Sequence, residues 1–213
     1  MTRTGAGTKG VPREHREEQI LEAATELFGS QGFAAASVRD VADRAGISKP
    51  LVYAYFGSKE GLLEACLHRA GTLLLAEIER VATSGAVGWE RGLATLEAIF
   101  GVLEDRPWLW RLFFDPTMPR TEAGVGDELR RYTDRITAVA HEGVGEAMAL
   151  GAGVEAADPV DVSAMTAVWL GLVDSLVGWW LDHPGESAAQ MTQRCARLIA
   201  AAFAVPVGAG VSG

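Results

Sequence analysis

Cysteine is scarce in this sequence: Cys66 and Cys195 are the only two among 213 residues. They lie far apart in segments with helical patterns, and neither has a neighbour at the spacing of a metal ligand. These observations argue against a disulfide scaffold and against a cysteine-based metal site. No secretory signal precedes the first helical segment, so we expect a reduced, cytoplasmic protein. The two thiols are either small buried hydrophobic groups or, as the alternative, reactive groups.

Histidine is also limited, and the four histidines do not converge in the sequence. They are His15, His68, His141 and His183. None is spaced with Cys, Asp or Glu in the manner of a metal or nucleophile site, and a satisfied surface or core histidine accounts for each. The sequence therefore predicts a protein that is not an enzyme and has no metal site and no cofactor.

Signals for β-structure are missing, since no hairpin turn and no alternating apolar pattern occurs along the chain. Helical periodicity is present instead, interrupted by Gly and Pro, and it predicts an all-α protein of about nine helices. We predict an N-terminal three-helix domain over residues 13–73 and a larger helical domain over 74–213. The predicted helices cover residues 13–29, 37–46, 48–56, 59–83, 89–103, 108–114, 121–150, 162–181 and 187–203. The glycines of the seventh segment leave its continuity open.

Positive charge is sparse and unevenly placed. The net charge is −9, with 8 Lys+Arg against 8 Asp+Glu in residues 1–60 and 11 against 20 in residues 61–213. The three lysines, Lys9, Lys49 and Lys59, all fall in the neutral part. Residues 1–12 are rich in Gly and Thr, and we predict a disordered basic arm there. The basic residues of the arm either follow a phosphate backbone or belong to a solvated tail.

Residues 37–63 have the pattern of a helix-turn-helix element. Ser37 begins a short helix, Gly46 permits a tight reversal of the chain, and Ser48 begins the next helix. On that third helix Val52 and Phe56 lie one turn apart and are expected to face the core. The remaining positions point to solvent, and an exposed Leu and Tyr among them are typical of a binding surface.

These exposed positions suit the recognition of double-stranded DNA. Lysine can pair with a phosphate or a guanine edge, Pro and Leu can meet thymine methyl groups, and a tyrosine hydroxyl can reach a phosphate oxygen. Helix N-termini add backbone amides that favour an anion. The alternative is a helical interaction protein that has the motif without reading DNA. The predicted DNA-binding residues are Ser37, Arg39, Ser48, Lys49, Pro50, Leu51, Tyr53, Tyr55 and Lys59.

The same stretch closely resembles the TetR family of bacterial transcriptional regulators, and the resemblance covers about residues 14–70. It departs from the family pattern at Leu51, where the family often has a small or polar residue, and at Tyr55, where it often has His. The residues that carry the resemblance are Ser37, Val38, Val41, Ala42, Ala45, Gly46, Ile47, Ser48, Val52, Tyr53, Tyr55, Phe56, Ser58, Lys59 and Glu60.

This resemblance implies a homodimer whose N-terminal domains read a palindromic operator and whose C-terminal domains dimerise and hold a small effector. On this basis we expect a ligand-responsive transcriptional repressor that a small, apolar effector releases from DNA. The two half-sites should lie about 34 to 36 Å apart or at a comparable helical repeat.

The eighth predicted helix is the one long apolar segment, and its length would span a bilayer. We predict no membrane span, because Asp174 lies within the segment and its flanks contain no Lys or Arg. Its apolar positions form two adjoining stripes, one for the core of the chain and one for a second copy. The residues predicted for the dimer interface are Leu172, Leu176, Trp179, Trp180 and Leu198.

Aromatic residues are concentrated around the sixth helix, in greater number than one short helix needs for its own packing. Such residues suit the walls of a pocket for an apolar ligand, although ordinary core packing can explain each of them singly. The residues predicted to bind the effector are Phe100, Trp108, Trp110, Phe113, Phe114, Met118, Met165 and Trp169.

Overall fold

The computed structural model describes residues 12–115, 117–121 and 124–203. Within these ranges the chain forms nine α-helices and no β-strand, which confirms the predicted all-α class. The predicted basic arm lies, apart from Pro12, outside the described residues. The helices are α1 (Arg13–Gln31), α2 (Val38–Arg44), α3 (Lys49–Phe56), α4 (Lys59–Ala82), α5 (Gly88–Leu103), α6 (Trp108–Phe114), α7 (Val125–Ala152), α8 (Pro159–Leu181) and α9 (Ala188–Phe203).

The chain divides into two compact units. The first comprises Met1–Ala70 and Trp108–Arg130, and the second comprises Gly71–Pro107 and Arg131–Gly213. The division within α4 lies near the predicted boundary at residue 73. Residues 108–130 were predicted to belong to the second domain, but they group with the first unit because α6 packs along α1. The functions assigned to the two domains stay predictions.

In the first unit, α1 is the central helix, and α2 and α6 pack on it. Its contact with α6 is close: a Cβ atom on Gly29 would lie 2.3 Å from the carbonyl oxygen of Trp108, so only glycine permits this approach. Apolar side chains from every helix of this unit are withdrawn from solvent, as expected for one small core. The core includes Ile20, Ala24, Phe28, Val41, Val52, Leu62, Leu63, Cys66, Leu109 and Leu112.

In the second unit, α5 packs against α9, and α8 contributes one buried stripe. The Phe100 ring meets the Trp180 ring edge to face, with centroids 5.1 Å apart. The Trp180 indole N–H donates to the Glu186 carbonyl oxygen at 2.7 Å, which gives this buried polar atom a partner. Both aromatic residues are therefore core residues of their own chain.

This packing involves two predicted site residues. Phe100 was predicted to bind an effector, and its side chain is fully buried in the single chain. Trp180 was predicted to lie in the dimer interface, and only 6% of it is exposed in the single chain. Both roles stay predictions. The sequence pattern placed both residues on apolar stripes without showing that they pack on each other.

Helix α7 runs without interruption from Val125 to Ala152, although Gly126, Gly143 and Gly145 lie within it. The predicted start at residue 121 is four residues too early. Gly143 has a packing role: a Cβ atom there would lie 3.0 Å from the Arg91 guanidinium. Arg91 is buried, and its Nη1 atom lies 2.6 Å from Glu146 Oε2 one turn further along α7. The glycine makes room for this ion pair rather than ending the helix.

Helix α8 is, among the described residues, the one helix long and apolar enough to cross a membrane. Only 22% of its most apolar window is buried within the chain. The buried stripe consists of Val162, Thr166, Val173, Val177 and Trp180, while Met165, Val168 and Trp179 are exposed. The helix therefore has one face in the core of its own unit and a second apolar face without cover in the single chain.

Candidate nucleic-acid interface

The N-terminus of α2 is fixed by a reciprocal pair of hydrogen bonds. The Asp40 N–H donates to Ser37 Oγ at 3.2 Å, and the Ser37 N–H donates to Asp40 Oδ2 at 3.1 Å. The Ser37 hydroxyl also donates to Asp40 Oδ2 at 2.6 Å. These bonds, the hydroxyl bond first, hold the pKa of Asp40 below its usual value. Ser37 was predicted to touch DNA, and the structure shows its hydroxyl engaged as the helix cap.

The turn between α2 and α3 depends on a glycine in the left-handed region. Gly46 has a φ of 66°, and its N–H donates to the Asp43 carbonyl oxygen at 3.3 Å. The next amide, that of Ile47, donates to the Ala42 carbonyl oxygen at 3.0 Å. This pair of bonds is a Schellman motif, which satisfies the last carbonyls of α2 and reverses the chain in two residues. The turn thereby sets the angle between the two helices.

Helix α3 presents its N-terminal turn to solvent. Ser48 is its N-cap but forms no capping hydrogen bond with its side chain, and Lys49 and Pro50 beside it are exposed. Lys49 Nζ lies 5.6 Å from the centroid of the Tyr53 ring, one turn along the same face, and Tyr53 is 39% exposed. These four predicted DNA-binding residues form one surface that offers two hydroxyl groups, an ammonium group and apolar ring carbons.

Val52 is buried on the opposite side of α3, as predicted, and anchors the helix to the core. Leu51 and Tyr55 are half-buried. The Arg13 guanidinium carbon lies 5.3 Å from the centroid of the Tyr55 ring, which links the start of α1 to α3. Arg39 lies on the exposed side of α2, where its Nε is 3.8 Å from Asp43 Oδ2. The exposed pair contributes little stability, so Arg39 is free to exchange Asp43 for another anion.

Lys59 has an intramolecular partner that the sequence did not indicate. Its ammonium group donates to the Phe33 carbonyl oxygen at 2.5 Å and lies 4.2 Å from the centroid of the Phe33 ring. Its predicted contact with a DNA phosphate stays a prediction. The observed contact ties the first turn of α4 to the loop between α1 and α2.

The same loop is held from its other side by the segment that follows α6. The Phe33 N–H donates to Asp115 Oδ2 at 2.5 Å, and the Ala34 N–H donates to Thr117 Oγ1 at 3.1 Å. Burial would raise the pKa of Asp115, but the bonds from Phe33 and Thr117, with nearby Arg120, outweigh it and hold the pKa below its usual value. These two anchoring contacts were not predicted from the sequence. Asp115 and Thr117 have the spacing of an Asx turn, but their partners lie more than 80 residues away in sequence.

The remaining predicted effector residues lie in both units. In the first unit, the rings of Trp110 and Phe114 are stacked with centroids 5.3 Å apart, and Phe114 is 52% exposed. Trp108 and Phe113 are half-buried, and Met118 is buried. In the second unit, Met165 is exposed and Trp169 packs over Gly92. A cleft of about 560 Å³ in the second unit contains Glu77, Arg80, Glu97 and Arg106 in its wall, and no predicted effector residue lines it.

Of the residues predicted for the dimer interface, all but Trp180 retain exposed surface. Trp179 and Leu198 are exposed, and Leu172 and Leu176 are half-buried. No group of three or more His, Cys, Asp or Glu side chains suited to a metal ion occurs in the described ranges.

Comparisons with known proteins agree with this geometry. The sequence model described as "Bacterial regulatory proteins, tetR family" matches residues 20–66, which run from within α1 into α4. The transcriptional activator FasR of Mycolicibacterium smegmatis is 34% identical over 129 residues. That alignment covers 59% of this chain and 59% of FasR.

Solved structures match over much more of the chain. A TetR/AcrR-family transcriptional regulator from Thermobifida fusca is 27% identical, with a TM-score of 0.65 over 89% of this chain and 99% of its own. FadR of Bacillus subtilis, solved in complex with stearoyl-CoA, is 17% identical and similar in fold, with a TM-score of 0.67 over 85% of this chain and 96% of its own. The helix-turn-helix geometry and the family match show that residues 20–66 belong to the tetR family of bacterial regulatory proteins, and the likenesses to solved TetR-type regulators show that the chain shares their fold.

Proposed function

We propose that this protein is a cytoplasmic, ligand-responsive transcriptional repressor that binds a palindromic DNA operator as a homodimer. The observation that carries the proposal is the exposed N-terminal turn of α3, where Ser48, Lys49, Pro50 and Tyr53 form one surface above a buried Val52. A helix held in this way enters the major groove with its first residues facing the base edges. Ser48 and Tyr53 supply hydroxyl groups for phosphate oxygens, and Lys49 supplies a donor for a guanine edge.

Charge alone does not explain tight binding, because residues 1–60 have no net charge and the whole chain carries −9. Arg44 is engaged with the Glu26 carboxylate, whereas the exposed Arg39 can leave Asp43 for a phosphate. With equal numbers of acidic and basic residues in this region, the release of counterions gives only a limited affinity for DNA. Two copies of α3 held at a fixed spacing compensate for this, since the second contact is intramolecular once the first is made.

The exposed apolar face of α8 and α9 supports the homodimer. Val168 is 62% exposed and Leu198 is 53% exposed, and both Met165 and Trp179 retain two-fifths of their surface. Soluble monomers rarely expose several large apolar side chains on neighbouring helices. Asp174 is exposed on α8 as well, and a carboxylate in the middle of a bilayer is costly, so a second protein copy is a better cover than lipid.

The stacked Trp110–Phe114 pair on α6 supports an apolar effector. A ligand with an aliphatic or aromatic body would bury the exposed Phe114 ring and gain its hydrophobic free energy. FadR of Bacillus subtilis binds stearoyl-CoA, so long-chain acyl-CoA thioesters belong in a ligand panel beside aromatic and steroid-like compounds. Ligands of this site should quench tryptophan fluorescence, and quenching that is unchanged in Trp110→Ala would place the ligand elsewhere.

Selection from random duplexes tests the DNA-binding proposal directly. Purified protein is incubated with a random duplex library, and bound sequences are recovered at two salt concentrations. The proposal requires enrichment of a palindrome and an affinity that falls as salt rises. Retention without an enriched sequence and without salt dependence would instead support the alternative, a helical interaction protein that does not read DNA.

A further inference from the structure

The backbone of Phe33, in the loop between α1 and α2, is hydrogen-bonded at both its N–H and its carbonyl oxygen. Its N–H donates to Asp115 Oδ2, and its carbonyl oxygen accepts a bond from Lys59 Nζ, both at 2.5 Å. The Phe33 ring is buried, with its centroid 5.5 Å from that of Phe28. The backbone of one residue thus connects the segment after α6 with the first turn of α4.

Hydrogen bonds within its own loop orient the Asp115 side chain for this contact. Only 8% of the residue is exposed, so its carboxylate needs partners within the protein. The Thr117 N–H and hydroxyl donate to Asp115 Oδ1 at 2.8 and 2.7 Å, and the same hydroxyl oxygen accepts the Ala34 N–H. Arg120 Nη2 donates to the Phe113 carbonyl oxygen at 3.0 Å and folds the segment back on α6. The bonds from Thr117 therefore orient the Asp115 carboxylate toward the α1–α2 loop.

The loop that Asp115 holds leads directly into the DNA-reading element. Gly32 ends α1 with a φ of 84°, and its carbonyl oxygen accepts the Ala36 N–H at 3.2 Å. Ser37, the next residue, begins α2 through the capping bonds with Asp40. Only three residues separate Phe33 from Ser37, and the Gly46 turn then joins α2 to α3.

We propose that Asp115 is a positioning residue for DNA reading: by accepting the Phe33 N–H it fixes the loop from which α2 starts, and thereby the orientation of α3. The inference rests on the DNA binding proposed above. Helix α6 packs on α1 at Gly29 and ends one residue before Asp115. The contact between Asp115 and Phe33 therefore couples the position of α6 to the orientation of α2 and α3.

Asp115→Asn removes the charge and keeps the size of the side chain, and Asp105→Asn makes the same change at an exposed loop position as a matched control. Affinities for the selected operator and for a non-specific duplex are measured at a temperature where circular dichroism shows every variant folded. We expect Asp115→Asn to lose about tenfold in operator affinity, which corresponds to about 1.4 kcal/mol. Non-specific affinity should change by less than about twofold, since it depends on charge more than on helix orientation. Asp105→Asn should change neither affinity.

A double-mutant cycle of Asp115→Asn and Lys59→Met tests whether the two residues affect operator affinity through the same contact. Lys59 and Asp115 bind the backbone of the same residue, Phe33, so the double variant should lose less affinity than the product of the two single losses. Hydrogen exchange of the Phe33 and Ala34 amides should accelerate in Asp115→Asn before that of the α1 core.

Four results would overturn the inference. Equal operator affinity of Asp115→Asn and the parent chain shows that Asp115 does not position α3. An equal loss for operator and non-specific DNA shows a structural role only. Strictly multiplicative losses in the cycle show that Asp115 and Lys59 do not act through a shared contact with Phe33. If the parent chain binds no duplex at all, the proposed DNA binding itself fails, which distinguishes this outcome from the other three.

Discussion

At the scale of single residues, Asp115 gives the chain a defined response to acid. Its pKa in the folded protein is below the usual value, since hydrogen bonds from Phe33 and Thr117 overcome the effect of burial. The stabilisation is therefore fully present above the unfolded-state pKa of about 3.9 and is lost as pH falls through the lower folded-state value.

We predict that Asp115→Asn lowers the free energy of unfolding by about 1.5–3 kcal/mol at neutral pH, the usual range for a hydrogen bond to a charged group. The difference from the parent should shrink below about pH 4, where the unfolded parent binds a proton. Urea titrations at a series of pH values measure it, and Asp105→Asn is the control. If the free energies of unfolding of parent and variant differ by the same amount at every pH, the acid response does not come from the Asp115 carboxylate.

Two neighbours on α3 should differ in what they contribute to DNA binding. Tyr53→Phe removes only the hydroxyl and keeps the ring beneath Lys49 Nζ. We predict that it weakens binding to all duplexes alike by about three- to tenfold, the effect of one hydrogen bond to a phosphate. Lys49→Ala should instead change which operator variant is preferred, as expected for a base-edge contact. Mobility-shift titrations against a panel of single-base operator variants measure both effects. If Tyr53→Phe and Lys49→Ala both change the preferred operator, the assignment of Tyr53 to a phosphate contact is wrong.

At the scale of elements, glycines with similar surroundings have opposite roles. Gly46 and Gly101 would both place an added Cβ atom in open space, but Gly46 has a φ of 66° and ends α2, whereas Gly101 lies within α5. An alanine at Gly46 would therefore destabilise the protein only through the strained backbone conformation. At Gly101 the higher helix propensity of alanine applies.

We predict that Gly46→Ala destabilises the protein by about 1–2 kcal/mol, the penalty of a left-handed conformation with a side chain. Gly101→Ala should stabilise it by up to about 1 kcal/mol. Thermal or urea unfolding compares the two variants with the parent. A stabilising effect of Gly46→Ala would mean that the turn does not have the conformation described.

The helices themselves were largely predictable, because their ends carry local signals. Ser37, Gly46 and Pro107 mark boundaries by capping and backbone geometry, and the structure places helix ends at or beside them. The continuity of α7 was not predictable, since Gly143 is needed by Arg91 of another helix. For the same reason the contact between Asp115 and Phe33 was not predictable, and neither was the packing of Phe100 on Trp180.

At the scale of the whole molecule, the uncovered face of α8 and α9 should decide the state of assembly. We predict that Val168→Glu shifts the protein from dimer to monomer, since two carboxylates would then be buried near each other in an interface. Val154→Glu, a comparably exposed valine outside that face, is the control and should leave the dimer intact. Sedimentation velocity over a range of protein concentrations measures the change. A monomeric parent chain, or a Val168→Glu variant that dimerises like the parent, would exclude this face as the interface.

The predicted loss of the dimer should also remove operator binding while leaving the fold of the first unit unchanged, because its core is built from residues 12–70 and 108–130 alone. Circular dichroism and the operator titration on Val168→Glu separate these two effects. Tight operator binding by the monomeric variant would show that a single copy of α3 is sufficient.

The bare apolar face of α8 has a consequence for the cell that expresses this protein. If only the paired form holds DNA, operator occupancy at low protein levels rises with the square of the protomer concentration, and a modest change in synthesis becomes a larger change in transcription. In newly made protomers the apolar face of α8 also stays exposed to solvent until a second protomer binds. During that interval the protomers are accessible to proteases and chaperones. If the protein acts as the proposed dimer, the time a protomer spends alone therefore limits how few copies the cell can use for regulation.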